Sequence, residues 1–191
     1  KTLLVIGAGA IGVEFASFYQ TLGTQVTLVE VLDQILPAED AEIAGLARSG
    51  FEQAGIEVIT GAEMSDFNQS KQLEVVINGQ KRKFDAAISS VGVTGVTDGL
   101  GLSDEYIDRG FIKVDGQQRV AAGLYAIGDV AGPPCLAHKA SHEGVIAAEV
   151  IAGENPHALQ RMQIPACTYS HPQIASVGLS EQQVADRAVK V

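Results

Sequence analysis

The 191-residue sequence predicts an α/β protein with a parallel sheet, and three observations predict this fold class. Thr2–Ile6 and Gln25–Val29 are short aliphatic and β-branched runs without polar alternation, which is typical of strands buried on both faces. Between them, Val13–Leu22 carries apolar residues at helical spacing and is followed by Gly23, a common residue after the end of a helix. Strand, helix and strand follow one another within the first 30 residues, which indicates a βαβ unit.

The rest of the chain predicts further elements of the same kind. The first group begins with a helix over Ala41–Ala54, which Gly55 ends, and a strand over Ile56–Ile59. A small antiparallel ribbon follows over Glu63–Asn68, Leu73–Ile77 and Lys83–Phe84, with a turn at Asn78-Gly79. The chain then returns to the parallel sheet at Ala86–Val91. Gly92–Gly101 is then a loop and a candidate domain crossover. The second group is a set of short strands over Phe111–Val114, Leu124–Ile127, Ala166–Tyr169 and Ile174–Val177, a helix over His138–Ala152, and a last helix with Ser180 as its N-cap.

Composition excludes several classes of function. The chain has 13 Lys and Arg against 23 Asp and Glu, a net charge of −10, which argues against a nucleic-acid or anionic-membrane surface. No apolar run approaches the roughly 18–20 residues of a membrane span. Cys135 and Cys167 fit neither a redox CxxC motif nor the ligand spacing of zinc, so we interpret them as small packing residues.

A glycine-rich turn between the first strand and the first helix predicts a phosphate-binding site. Gly7 would allow the tight turn, Gly9 would let a diphosphate approach the backbone, and Gly12 would let the helix pack closely on the sheet. The free N–H groups and the positive dipole end of the helix would then face the phosphates. This motif alone is weak evidence, but here it lies within a predicted Rossmann-like βαβ unit.

Glu30 ends the second strand about 20 residues after the glycines, where an acid typically accepts hydrogen bonds from the adenosine ribose hydroxyls. A carboxylate at this point repels a 2′-phosphate, and a site for NADP usually has an arginine nearby. No lysine or arginine occurs between Lys1 and Arg48, so the sequence favours NAD over NADP.

A second glycine and acid pair, Gly128-Asp129, follows the strand predicted over Leu124–Ile127. An acid at the tip of a strand can accept hydrogen bonds from sugar or ribityl hydroxyls. A strand followed by Gly-Asp is also a common turn, and the residues alone leave both interpretations open.

Three spaced motifs in the right order resemble the pyridine nucleotide–disulfide oxidoreductases. These are Gly7–Glu14 (GAGAIGVE), the run Leu124–Val130 with Leu136-Ala137-His138-Lys139-Ala140 and Glu143-Gly144, and Ile164-Pro165 with Tyr169-Ser170-His171-Pro172 and Ile174–Gly178. The resemblance covers essentially the whole chain. It implies a fold with most of an NAD-binding domain over 1–93, the later part of an FAD-binding domain over 94–160, and the start of an α+β dimer-interface domain over 161–191.

The resemblance also implies cofactor contacts. NAD would be contacted by Gly7, Ala8, Gly9, Ala10, Ile11, Gly12, Val13 and Glu14. Glu30 would hold the adenosine ribose, Met64 would lie beside the adenine, and Gly92 would lie near the nicotinamide. For FAD, Asp129 would bind the ribityl chain, and Cys135, Leu136, Ala137 and His138 would line the isoalloxazine ring. Many relatives have Arg and Pro after the glycine at position 92, whereas this chain has Val93-Thr94-Gly95, which puts any charged contact there in doubt.

Other parts of the catalytic machinery of this family are not found in this sequence. The redox CxxxxC, the first FAD glycine motif and the His–Glu proton-handling pair are missing, so we expect an internal portion of a longer enzyme. Alone, it would hold no FAD tightly and turn over no substrate. Within the family, the resemblance is greatest to members that oxidise dihydrolipoyl groups with NAD. It implies a homodimeric, cytoplasmic enzyme (mitochondrial matrix in a eukaryote) that serves the lipoyl-bearing subunits of 2-oxo-acid dehydrogenase complexes.

Two alternatives remain open at this point. The first is another member of the family, a glutathione-type or mercuric reductase, which would commonly use NADPH. The second is a non-catalytic NAD-binding module.

Overall fold

The computed structural model describes residues 1–69 and 71–186, which form two compact units. The first unit is Lys1–Gly92 together with the segment that begins at Pro165, and the second is Val93–Ile164. Positions 187–191 of the predicted interface domain lie outside the described residues. The division into three domains remains a prediction.

The first unit is built on a four-stranded parallel sheet. Its strands are β1 (Thr2–Ile6), β2 (Gln25–Val29), β3 (Glu57–Ile59) and β7 (Ala86–Ser89), in the order β3-β2-β1-β7. Leu4 of β1 is paired with Thr27 of β2 on one side and Ala87 of β7 on the other. The predicted βαβ unit is confirmed, with β1 and β2 adjacent and parallel.

Two helices follow strands of this sheet, α1 (Ala10–Thr21) and α2 (Ala41–Gln53). Helix α1 begins about one turn before the predicted Val13, because Gly9 already serves as its N-cap. Helix α2 begins at Ala41 because the carboxylate of Asp40 accepts a hydrogen bond from the Glu42 N–H at 3.0 Å. It ends just before Gly55, whose positive φ of 92° fits the predicted stop.

Alternate side chains of β1 enter two separate cores, which explains why this strand is uniformly apolar. Leu3 and Val5 join Val13 and Phe51 in one cluster, whereas Leu4 belongs to another. The second cluster comprises Leu4, Val29, Ala62, Val75, Ile77 and Phe84. The prediction of a strand buried on both faces is therefore confirmed.

The small antiparallel ribbon is a three-stranded sheet of β4 (Met64–Gln69), β5 (Leu73–Ile77) and β6 (Gln80–Phe84). The predicted turn between β5 and β6 is confirmed at Asn78 and Gly79. Both residues have positive φ, 49° and 77°. A tight hairpin turn needs such angles for its twist to match that of the two flanking strands.

The segment from Pro165 adds the hairpin β12 (Ala166–Thr168) and β13 (Ile174–Ser176), and helix α4 (Glu181–Asp186). Ser180 caps α4 as predicted, since its hydroxyl accepts a hydrogen bond from the Gln183 N–H at 3.3 Å. Ile174 enters the core beside α1 and α2.

The second unit contains two short hairpins and one long helix. The hairpins pair β8 (Ile107–Asp108) with β9 (Phe111–Ile112), and β10 (Arg119–Ala121) with β11 (Leu124–Tyr125), and the helix is α3 (Ala137–Ile151). Strands β8 and β10 were not predicted, and β9 and β11 are shorter than predicted. Strand β9 ends early because a turn follows, in which the Asp115 carboxylate accepts hydrogen bonds from two backbone N–H groups. A small core of Ile112, Ala126 and Ala131 lies in this unit.

Among the described residues, the longest apolar helical stretch falls short of what a membrane crossing requires.

Candidate functional site

The glycine-rich turn is shaped by contacts that a side chain would break. Gly7 has a φ of +92°, and a Cβ there would lie 2.6 Å from the Ser90 carbonyl oxygen. A Cβ on Gly12 would lie 1.9 Å from the Gly7 carbonyl oxygen. A Cβ on Gly9, in contrast, would meet no atom within 4 Å. Gly7 and Gly12 are therefore demanded by the local packing, whereas Gly9 leaves an open approach to the backbone.

The N-terminus of α1 presents uncapped backbone N–H groups. Its N-cap, Gly9, offers no side-chain hydrogen bond, and no acidic residue lies in the first turn. Ala10 and Ile11 in that turn are exposed. This end of the helix carries a partial positive charge that is not neutralised by a side-chain cap or a first-turn acid, which suits an anionic ligand.

Glu30 lies against the same turn and is only 7% exposed. Its Oε2 accepts a hydrogen bond from the Ala8 N–H at 2.8 Å, and its Oε1 accepts one from the Leu32 N–H at 3.1 Å. Glu30 is therefore not simply a solvated side chain at the end of the strand. Each carboxylate oxygen still has a lone pair with which to accept a hydrogen bond from a hydroxyl group. The contact between Glu30 and the turn itself was not predicted from the sequence.

The first arginine in the sequence has hydrogen-bond partners on α2 and directly after β3. The Arg48 side chain donates to Glu52 at 2.8 Å and to Thr60 at 3.1 Å. Glu30 therefore lies in a region without a lysine or arginine close to it in sequence, and Arg48 already has partners of its own.

The other residues predicted to contact NAD lie on α1, at the start of β4 and in the loop after β7. Met64 begins β4 and packs half-buried against the core cluster that contains Val29, and Gly92 follows β7 with a φ of +125°. Val13 is buried in the core rather than facing the open side of the turn. Glu14 is half-buried, and its Oε1 accepts a hydrogen bond from the Tyr169 N–H at 2.7 Å. The turn and Glu30 are in direct contact, and the roles assigned to the other residues remain predictions.

In the second unit, the predicted flavin contacts lie around one short turn and one helix start. Asp129 is exposed in the single helical turn Gly128–Ala131, and Cys135 is partly buried. Leu136 is the N-cap of α3 without a side-chain hydrogen bond, and Ala137 and His138 are exposed in the first turn. The start of α3 thus resembles that of α1 in lacking a side-chain cap.

A buried ion pair joins these two elements. Lys139 and Glu143 on α3 are 1% and 2% exposed, and the Lys139 Nζ lies 3.0 Å from Glu143 Oε1. The ammonium also donates to the carbonyl oxygens of Gly128 at 3.0 Å and Gly132 at 2.8 Å. The Gly128 N–H donates to Glu143 Oε2 at 2.7 Å. All three protons of the ammonium are therefore used, and both ends of the turn that carries Asp129 are bound to α3.

Sequence reasoning missed this pair as a functional feature, because Lys and Glu are almost always on the surface. Their spacing of four residues on a helix was the available signal, since side chains four apart lie on one face. It did not distinguish a buried pair from an exposed one.

The two cysteines are free. Burial raises the pKa of the Cys135 thiol, and the nearby Asp129 carboxylate raises it further. A raised pKa lowers the fraction of thiolate, the nucleophilic form, at neutral pH. Cys135 is thus poorly suited to nucleophilic chemistry.

We expect iodoacetamide to modify exposed Cys167 faster than Cys135 at pH 7.5. Peptide mass spectrometry over time would measure both rates in one sample. In guanidinium chloride the two rates should converge, because the burial of Cys135 is then lost. Faster modification of Cys135 in the folded chain would contradict this account.

Comparison with known proteins identifies the family. The family model described as pyridine nucleotide-disulphide oxidoreductase matches residues 1–144. A curated relative from Zymomonas mobilis, called dihydrolipoyl dehydrogenase, is 46% identical over 100% of this chain and 43% of its own length. A relative of the same name from Rhizobium etli is 46% identical over 97% of this chain and 41% of its own. The chain therefore spans less than half the length of these relatives.

Solved structures agree with the sequence comparison. The crystal structure of LpdA from Mycobacterium tuberculosis superimposes with a TM-score of 0.89 at 29% identity, over 98% of this chain and 42% of that one. The HOCl-induced flavoprotein disulfide reductase RclA from Escherichia coli gives 0.87 at 26% identity, over 99% and 45%. Members of the matched family use FAD and NAD. With a family match over most of its length, this chain belongs to the pyridine nucleotide–disulphide oxidoreductases.

Proposed function

We propose that this chain is the portion of a dihydrolipoyl dehydrogenase that binds NAD and contacts FAD. The observation that carries the proposal is the contact between the glycine-rich turn and Glu30. A diphosphate and an adenosine ribose are joined in NAD, and the chain offers an uncapped helix N-terminus beside a carboxylate that is held in place by the Ala8 N–H.

On this proposal, the diphosphate binds the N–H groups at the start of α1, across the open space at Gly9. Glu30 accepts hydrogen bonds from the adenosine ribose hydroxyls through the lone pairs that the backbone leaves unused. An added 2′-phosphate would bring a second negative charge against this buried carboxylate, and it would therefore be disfavoured.

The second unit would contact the flavin. Asp129 lies on a turn whose two ends are bound to Lys139 and Glu143, and because it is exposed, its carboxylate is available to accept hydrogen bonds from ribityl hydroxyls. The uncapped first turn of α3 would favour negative charge on the reduced ring. These two features fit the chemistry of FAD, because Asp129 supplies an acceptor for the ribityl hydroxyls and the first turn of α3 supplies N–H donors for an anionic ring.

The reaction of the whole protein would be oxidation of dihydrolipoyl groups by NAD. FAD, when bound, would supply the two-electron transfer between a redox disulfide and the nicotinamide. The residues of this chain would bind and orient both cofactors, and a partly buried, protonated Cys135 would take no part as a nucleophile. The proposed partners are the lipoyl-bearing subunits of 2-oxo-acid dehydrogenase complexes and a second copy of the whole protein, in the cytoplasm or the mitochondrial matrix.

A chimeric enzyme tests this proposal. The corresponding 43% of the Zymomonas mobilis dihydrolipoyl dehydrogenase would be replaced by this chain, and the purified chimera assayed for its flavin spectrum and for NAD-dependent oxidation of dihydrolipoamide. We expect a yellow protein that produces NADH. The same chimera with Asp129→Ala tests the flavin contact. It should bind FAD more weakly, because the ribityl hydroxyls lose their acceptor.

A chimera that binds FAD but reduces glutathione disulfide or Hg²⁺ with NADPH would contradict the proposal. Such a result would favour another reductase of the family.

A further inference from the structure

The peptide group between Gly7 and Ala8 is held at both of its polar ends. Its carbonyl oxygen, on Gly7, lies 2.9 Å from the hydroxyl of Ser90. Its N–H, on Ala8, donates to Glu30 Oε2 at 2.8 Å. Ser90 follows β7 and Glu30 follows β2, the two strands that flank β1. The two hydrogen bonds to this peptide group therefore come from opposite sides of β1.

The Ser90 hydroxyl has one proton and two neighbouring carbonyl oxygens, those of Ile6 and Gly7, both at 2.9 Å. The Ile6 carbonyl already accepts the Ser90 backbone N–H at 2.8 Å, as expected next to parallel strands. The Gly7 carbonyl therefore depends more on the hydroxyl than the Ile6 carbonyl does.

The surroundings of Ser90 leave little freedom. A Cβ on Gly7 would collide with the Ser90 carbonyl oxygen, and a Cβ on Gly12 would lie 2.7 Å from the Ser90 Oγ. Two of the three glycines in the turn are thus in close contact with one serine. The shape of the turn and the position of this side chain are set together.

We infer that Ser90 is a positioning residue for coenzyme binding, an inference that rests on the proposed function. By binding the Gly7 carbonyl, Ser90 keeps that oxygen turned away from the diphosphate, where two negatively polarised oxygens would repel each other. The same peptide orientation directs the Ala8 N–H to Glu30, which fixes the carboxylate for the ribose. One hydroxyl therefore serves both halves of the adenosine diphosphate site.

Calorimetric titration of the full 191-residue chain with NADH tests this inference in the unmodified protein and in Ser90→Ala. We expect the variant to bind NADH about 3- to 10-fold more weakly, the usual effect of one neutral hydrogen bond. Ser49→Ala is the matched control, because the Ser49 hydroxyl also donates to a backbone carbonyl, that of Gly45 on α2. It should leave the affinity for NADH unchanged.

Adenosine separates positioning from a merely structural role. It has the ribose and the adenine but no phosphate, so only the effect through Glu30 remains, and we expect Ser90→Ala to weaken the binding of adenosine less than that of NADH. A variant with a disturbed fold would lose affinity for both ligands alike. Combined with Glu30→Gln, the loss from Ser90→Ala should be smaller than in the unmodified background, because both side chains act on one peptide group.

The possible outcomes are distinguishable. Unchanged NADH affinity in Ser90→Ala, or an equal loss for NADH and adenosine, would overturn the inference and leave the proposed function intact. Failure of the unmodified chain to bind NADH would contradict the proposed function and, with it, this inference.

Discussion

Lys139→Met should lower the free energy of unfolding by about 3–5 kcal/mol, because it leaves the Glu143 carboxylate buried without its counter-charge. The Gly128 and Gly132 carbonyl oxygens would also lose their donor. Urea unfolding followed by far-UV circular dichroism measures the loss. Since the chain contains no Trp, this signal is preferable to intrinsic fluorescence.

The double variant Lys139→Met with Glu143→Leu should be far more stable than either single variant. It removes both charges and replaces them with apolar groups of similar volume, a change that is often neutral or stabilising in other proteins. Lys83→Met is the matched control, because the pair between Lys83 and Glu74 is exposed and its loss should hardly move the urea midpoint. A single variant at Lys139 as stable as this control would contradict the role given to the buried pair.

The glycines of the turn should separate folding from binding. Gly12→Ala places a Cβ 1.9 Å from the Gly7 carbonyl oxygen, so α1 must shift. We expect the free energy of unfolding to fall by about 1–3 kcal/mol and NADH binding to be lost. Gly9→Ala meets no atom within 4 Å and has an ordinary φ of −70°, so the fold should be retained while NADH binds more weakly.

Calorimetry with NADH and urea unfolding of the same samples give both readouts. Gly45→Ala is the control, because Gly45 lies exposed within α2 with open space around it. It should raise stability by up to about 1 kcal/mol and leave NADH binding unchanged. If Gly9→Ala bound NADH as tightly as the unmodified chain, the diphosphate would not approach the backbone there.

The parallel sheet was predictable because the signals were local. A strand such as Thr2–Ile6 is apolar at every position when both of its faces are covered, and the structure places Leu3 and Leu4 in different cores. The turn at Asn78-Gly79 was predictable for the same reason, since those residues tolerate positive φ.

What the sequence did not predict depends on contacts between distant residues. Lys139 and Glu143 are charged, and only the folded chain shows that the ammonium replaces water with two carbonyl oxygens and a carboxylate. Ser90 contacts a residue that is 83 positions away in the sequence, and no local pattern marks it. Strands of two residues, such as β8, are too short to show any periodicity.

The central claim is that Glu30 and the glycine-rich turn select the coenzyme without a 2′-phosphate. Parallel titrations of the unmodified chain with NADH and NADPH test it most directly. We predict saturable binding of NADH at one site and at least about tenfold weaker binding of NADPH, a difference of about 1.4 kcal/mol. Equal affinities, or a preference for NADPH, would contradict the account.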